Sequence, residues 1–219
     1  MSVRLLALDT TGEFGSIALV GERGIEAEVT LHSPEGFAHI LFGQIGQLLV
    51  RHGLSVSNID AFASASGPGS FTGVRVGLAA AKGLAEAAGR RVVAVSNLQA
   101  LAWFGTRAMR ATVMDARRGQ VYGAVYDAAL EPVCEEVVMG FSQWLKTIPE
   151  GDLEFITHGF PMTGVKAPVI EAPRALAGAI GQIAMTRFKR GLAQDPVEAD
   201  ANYVRRSDAE LLWKEPAGR

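Results

Sequence analysis

The sequence predicts a mixed α/β protein made of two similar halves, and three observations carry that prediction. Apolar runs of strand length alternate with stretches of helical spacing, in the order strand, strand, strand, helix, strand, helix, strand, helix over residues 1–108. The pattern then begins again. Twelve residues from Asp9 to Val20 align without a gap with twelve from Asp115 to Tyr126, each set starting on an aspartate at a strand end and finishing in an apolar strand. Finally, 48% of the 219 residues are hydrophobic and 25 are glycine, about 11% where roughly 7% is usual, so a sizeable core with many tight turns or close helix contacts is expected. The halves are expected at 1–108 and 109–219.

Val3 to Leu8 and Ser16 to Val20 read as a buried hairpin around the turn-forming Asp9–Gly15 stretch, and Ile25 to Thr30 as a third strand. Ser33 and Pro34 resemble a helix entrance, which predicts a helix from Glu35 to His52 stopped by Gly53. Phe37, Leu41, Ile45, Leu48 and His52 share one face of it, while Phe42, Gly43, Gly46 and Val50 form a second, smaller apolar strip. Two apolar strips on one helix require two packing partners: the sheet, and a neighbouring helix or another chain. A strand at Asp60–Ala65, a glycine-rich loop at Ser66–Thr72, a helix at Val74–Ala88 closed by Gly89, a strand at Arg91–Val95 and a helix at Asn97–Arg107 complete the first half. The second half predicts strands at Ala111–Asp115, Tyr122–Tyr126, Val133–Val138 and Leu153–Thr157, helices at Ser142–Thr147 and Arg174–Arg190, and an extended tail at Asp195–Tyr203.

Composition removes several function classes. A net charge of −2, from 21 basic and 23 acidic residues, argues against gripping nucleic acid by bulk charge. The first apolar run is cut by Asp9, so no signal peptide or membrane span is expected there, and a cytoplasmic protein is the expectation. Cys134, beside Glu135 and Glu136, is a poor nucleophile because nearby negative charge suppresses the thiolate. His32, His39, His52 and His158 fall in no metal-binding spacing, which disfavours a metalloprotease, and no Gly-x-Ser-x-Gly elbow is present.

The strongest motif is Ser66-Gly67-Pro68-Gly69-Ser70-Phe71-Thr72-Gly73-Val74-Arg75-Val76-Gly77, placed between a strand and a helix. It is neither a Walker loop nor a dinucleotide fingerprint. Two readings stand: a tight strand-to-helix turn with small residues for close packing, or a backbone cradle for a phosphate at a helix N-terminus. Asp9 with Thr10 and Thr11 carries the same ambiguity, between a metal or phosphate site and a turn capped by its own aspartate. The nucleotide or anion candidates are therefore Asp9, Thr10, Thr11, Gly67, Gly69, Ser70 and Thr72. Asp115 with Arg117 and Arg118 is the counterpart in the second half, where the arginines pair with an anion or are simply solvated.

That glycine-rich segment, the opening Leu6-Ala7-Leu8-Asp9-Thr10-Thr11, the stretch Met114-Asp115-Ala116-Arg117-Arg118-Gly119-Gln120-Val121-Tyr122 and the late Tyr203-Val204-Arg205-Arg206 together resemble the bacterial TsaB family, along nearly the whole chain. The resemblance implies the actin/sugar-kinase/Hsp70-like (ASKHA) fold, with two ribonuclease-H-like halves. It implies a role in making threonylcarbamoyladenosine beside the anticodon of tRNAs that read codons beginning with A. The family's members are generally not the catalyst, so no catalytic residue and no metal ligand is expected here, and no intrinsic cofactor. ATP or ADP and a divalent metal belong on the partners: the catalytic subunit TsaD, whose His-x-x-x-His motif this chain lacks, and the ATPase TsaE. A homodimer is implied when the partner is absent, and tRNA is met through the complex. The family's dimerisation through its first two helices points, by spacing, to His39, Phe42, Gly43, Gly46 and Val50 on the first and Arg75, Leu78, Ala79 and Lys82 on the second. The alternatives are a stand-alone nucleotide-hydrolysing enzyme using Asp9 and the glycine-rich loop, and a glycoprotease, the weakest because it lacks both metal and nucleophile chemistry.

Overall fold

The computed structural model describes residues 2–204. Two five-stranded sheets carry the fold. The first joins β1 (Arg4–Asp9), β2 (Phe14–Gly21), β3 (Gly24–His32), β4 (Ala61–Ala65) and β5 (Arg91–Val95) in the order β3-β2-β1-β4-β5. The second joins β6 (Met109–Asp115), β7 (Gln120–Asp127), β8 (Pro132–Gly140), β9 (Leu153–Thr157) and β10 (Val169–Glu171) in the order β10-β9-β6-β7-β8. Counted from the first strand of each, the two orders are the same. In both, the first three strands form an antiparallel meander and the last two add in parallel. The repeat seen in twelve residues thus extends through the whole topology.

Strand β1 is buried along nearly its full length because both faces of the first sheet are covered. Leu6, Leu8, Ile17, Leu19 and Phe62 face helices α1 (Leu41–Arg51) and α2 (Phe71–Ala88). Leu5, Ala7, Ala18 and Val20 point the other way, onto α5 (Ala177–Lys189). Helix α5 follows the second sheet in the chain yet packs on the first. Its N-terminus is held there by the Ser16 hydroxyl, which accepts the N–H groups of Leu176 and Ala177 at 3.1 and 2.9 Å, and by the Glu28 carboxylate, which accepts that of Gly178 at 2.7 Å. A carboxylate at a helix N-terminus also complements the helix dipole. Conversely, α3 (Asn97–Ala102) from the first half lies on the second sheet, where Leu98 and Ala102 meet Ala124 and Tyr126. The opposite face of that sheet is covered by α4 (Phe141–Trp144), with the Trp144 indole filling the space that the side-chain-free Gly123 leaves.

Several boundaries differ from the sequence expectation. The first helix starts at Leu41, not Glu35. Gly36 takes a φ of +88°, and the turn closes by Gly36 N–H donating to Ser33 O and the Ser33 hydroxyl to Gly36 O, so Ser33 serves a turn instead of a helix. Helix α2 starts earlier, at Phe71, because the Ser70 side chain accepts the Gly73 N–H. Helix α3 stops at Ala102, and the chain turns so that the buried Glu154 carboxylate receives the N–H groups of Thr106 and Arg107. Strand β10, three residues with an acidic end, has no counterpart in the sequence reading.

Candidate functional site

The Asp9 turn and the glycine-rich loop meet in one place. Asp9 ends β1 and is buried; its Oδ1 accepts the Thr11 N–H at 2.9 Å and the Thr11 hydroxyl at 2.7 Å. Burial pushes the carboxyl above its ordinary value, partly offset by those Thr11 bonds, by Asn97 and by the His158 charge. The loop then closes on this turn. The Thr10 hydroxyl donates to Gly73 O at 2.7 Å, Ser70 N–H to Thr11 O at 2.8 Å, and Gly67 N–H to Asn97 Oδ1 at 3.1 Å. The Asn97 amide in turn donates to the Thr11 hydroxyl at 2.7 Å.

The glycines follow from that closure. A Cβ on Gly69 would sit 2.7 Å from the Thr11 side chain, one on Gly77 2.7 Å from the Thr10 hydroxyl, and one on Gly73 would overlap the Thr10 carbonyl. Thr10 and Thr11 therefore fill the concavity, and the N–H groups of Gly67, Ser70 and Gly73 are taken by protein acceptors. Of the anion candidates, Asp9, Thr10, Thr11, Gly67, Gly69 and Ser70 come together, while Thr72 lies exposed on the first turn of α2. Asn97 and His158 belong to this cluster and were not among the candidates, since each arrives from a separate element.

Asp115 repeats the Asp9 turn at the second sheet. Its Oδ1 accepts the Arg117 N–H at 2.8 Å, the same i to i+2 bond, but here the aspartate is exposed and ion-paired to the Arg117 side chain at 3.7 Å. Among the described residues no three His, Cys, Asp or Glu side chains lie close enough to hold a metal ion.

The second candidate region is the outer face of α1 and α2. Leu41, Ile45, Leu48 and Leu49 turn inward, each worth about 1.5–3 kcal/mol when fully buried. Phe42, 58% exposed, and Val50, 75% exposed, turn outward together with Gly43 and Gly46. A Cβ on Gly43, Gly46 or Gly83 would meet nothing within 4 Å, so nothing in this chain accounts for these helix glycines. His39 is exposed in the turn before α1. On α2, Arg75 and Ala79 are exposed, Lys82 is half-buried, and Leu78 is buried within the protomer. The tail adds a feature that spacing could not reveal. Residues 194–203 run as a strap along α2: Gln194 bridges Val92 of β5, Lys82 Nζ donates to Ala199 O at 2.9 Å, Asn202 N–H donates to Ser66 O, and Arg75 Nε donates to the Tyr203 hydroxyl at 3.1 Å. Arg205 and Arg206 of the tail motif lie outside the described residues.

Comparison with known proteins agrees with these features. A family model described as TsaD, tRNA N6-adenosine threonylcarbamoyltransferase, matches residues 33–207. The tRNA threonylcarbamoyladenosine biosynthesis protein TsaB of Bacillus subtilis is 29% identical over 225 residues, covering 96% of this chain and 98% of its own length. The protein of the same name from Escherichia coli is 39% identical over 128 residues, covering 57% and 55%. The crystal structure of YeaZ from Pseudomonas aeruginosa superposes with a TM-score of 0.80 at 28% identity, over 92% of this chain and 99% of that one. An activator of 2-hydroxyisocaproyl-CoA dehydratase from Clostridium difficile, with a TM-score of 0.51 at 8% identity over 87% and 97% of the two chains, shares the fold alone. The two sheets of one topology have the ASKHA arrangement. With that fold, the matched model over most of its length and these relatives, the chain belongs to the TsaB family, on the scaffold that the TsaD model describes.

Proposed function

We propose that this protein is the non-catalytic dimerisation and activation subunit of the complex that transfers the threonylcarbamoyl group from threonylcarbamoyl-AMP to the adenosine beside the anticodon of tRNAs reading codons that begin with A. The observation that carries the reading is the outer face of α1 and α2, where Phe42, Val50 and three glycines with open space beside them await a close helical partner. The names of the relatives, all in threonylcarbamoyladenosine biosynthesis, supply the pathway. The partner on that face is the related catalytic chain TsaD, with the ATPase TsaE joining the pair, and a second copy of this chain takes its place when TsaD is absent. ATP or ADP and a divalent metal sit on those partners, this chain holds no cofactor of its own, and tRNA is met through the complex. The filled concavity beside Asp9 supports this reading over a stand-alone nucleotide hydrolase, because Thr10 and Thr11 occupy the space a phosphate would need.

The test is threonylcarbamoyl transfer to tRNA by TsaD, TsaE and the threonylcarbamoyl-AMP synthase, with and without this protein. Product is expected only when it is added, and Gly46→Arg is expected to abolish both product and TsaD binding while the chain stays folded. Equal product without it overturns the reading. If Gly46→Arg keeps full binding, the face is wrongly assigned.

A further inference from the structure

The exposed stripe of α2 is self-complementary, and we propose that it sets the register of the homodimer: α2 of one copy packs antiparallel on α2 of a second copy, with Arg75 of each facing Glu86 of the other. This rests on the reading that the outer α1–α2 face is an association surface. It adds which partner the α2 stripe fits and how.

Arg75 and Glu86 are eleven residues apart, three turns of helix, so they lie within about 20° of one another around the axis and about 16 Å apart along it. Ala79 and Gly83 lie between them on the same outward side. Arg75 is held at its end by local contacts. Its guanidinium stacks over the Phe71 ring at 3.6 Å and its Nε donates to the Tyr203 hydroxyl, which leaves the terminal nitrogens facing outward. The exposed Glu86 side chain has no hydrogen bond or ion pair among the described residues. Lys82 would place a positive charge at the middle of the stripe, but the strap draws its amine aside onto the carbonyls of Ala199 and Val197.

A two-fold axis leaves two ways to pair such helices. With the axis along the helices, each residue faces its own copy, and Arg75 meets Arg75. With the axis across them, midway between Arg75 and Glu86, the chains run antiparallel. Both ends then carry opposite charges and the small Ala79 and Gly83 come to the centre, where the open space beside Gly83 admits a neighbouring helix. Charge complementarity selects the second arrangement. Helix α1 contributes no competing carboxylate, because its only charged residue is Arg51.

The experiment is a charge swap in the full chain, read by sedimentation equilibrium at 50 and 500 mM salt. Glu86→Arg, which leaves the Phe71–Arg75–Tyr203 corner untouched, is expected to weaken the homodimer about tenfold at low salt, since it sets two like-charge contacts across the axis. Arg75→Glu is expected to do the same, and the double variant Arg75→Glu/Glu86→Arg to recover to within about threefold of the wild type. The salt dependence should shrink in both single variants. A double variant no tighter than either single one, or a wild-type chain that stays monomeric, overturns the proposal. Neither result touches the transfer assay, which judges the role in tRNA modification separately.

Discussion

At the residue scale, Asp9 shows how a chemically suggestive side chain is used structurally. It stands at the end of a buried strand, where catalytic acids of this general architecture are sought, yet its Oδ1 is taken by Thr11 and its surroundings disfavour charge. Because burial raises its folded pKa above the unfolded one, folding binds this proton more tightly than the unfolded chain does. Its contribution to stability is therefore fully present below the unfolded value of 3.8 and is lost as pH rises through the folded value. Asp9→Asn keeps an acceptor for Thr11 and removes the titration. The variant is expected to gain stability relative to wild type as pH rises from 4 to 8, with the two converging at the acid end, in paired urea denaturation curves. A constant difference across that range would mean the carboxylate does not titrate in the folded protein.

Helix α1 poses the problem at the element scale. Its inward residues explain why it packs, but Gly43 and Gly46 weaken it: each glycine in a helix interior costs about 1 kcal/mol relative to alanine, and no neighbour in the protomer requires their small size. Gly43→Ala/Gly46→Ala is therefore expected to raise unfolding stability by about 1–2 kcal/mol while weakening association with a partner helix, measured by urea denaturation below the dimer dissociation constant and by titration with TsaD. Equal or tighter association in this variant would show that the glycines are not interface residues. Helix α2 differs. Its Gly73 and Gly77 face inward against Thr10, so their smallness is spent within the chain, and only Gly83 faces out. Spacing separates these two uses of glycine on α1. On α2 it misplaces Leu78, which spacing puts on the partner side and packing turns inward.

For the whole molecule, the exchange of helices between the sheets governs how the protein holds together. Leu5, Ala7, Ala18 and Val20 are covered by α5, which is encoded more than 140 residues later, and Ala124 and Tyr126 by α3 from the first half. A fragment of residues 1–108 keeps its whole sheet but loses the cover of one face. It is expected to lack cooperative urea unfolding and dispersed amide NMR signals, whereas the full chain shows both. A cooperatively folded fragment would show that α5 is dispensable for the first sheet. The strap acts in the same way at smaller scale, since Asn202 bonds both Ser66 of the first half and Glu136 of the second, at 2.8 and 2.6 Å.

Strand and helix order, the internal repeat and the outward apolar strip of α1 were all legible in the sequence, because each is written in local periodicity: continuous apolar runs where a sheet is buried on both faces, and three- and four-residue spacing where a helix has a wet side. The glycine-rich loop was legible as a motif but not in its use; that depended on Thr10 and Thr11 arriving from a hairpin some 60 residues away to fill it. The start of α1, the three-residue β10, the Ser16 and Glu28 caps on α5 and the engagement of Arg75 and Lys82 by the strap were decided by tertiary structure alone. Each rests on hydrogen bonds or contacts between residues distant in the chain, and a local pattern of side chains carries no record of which distant group will satisfy a buried donor or cover an open face.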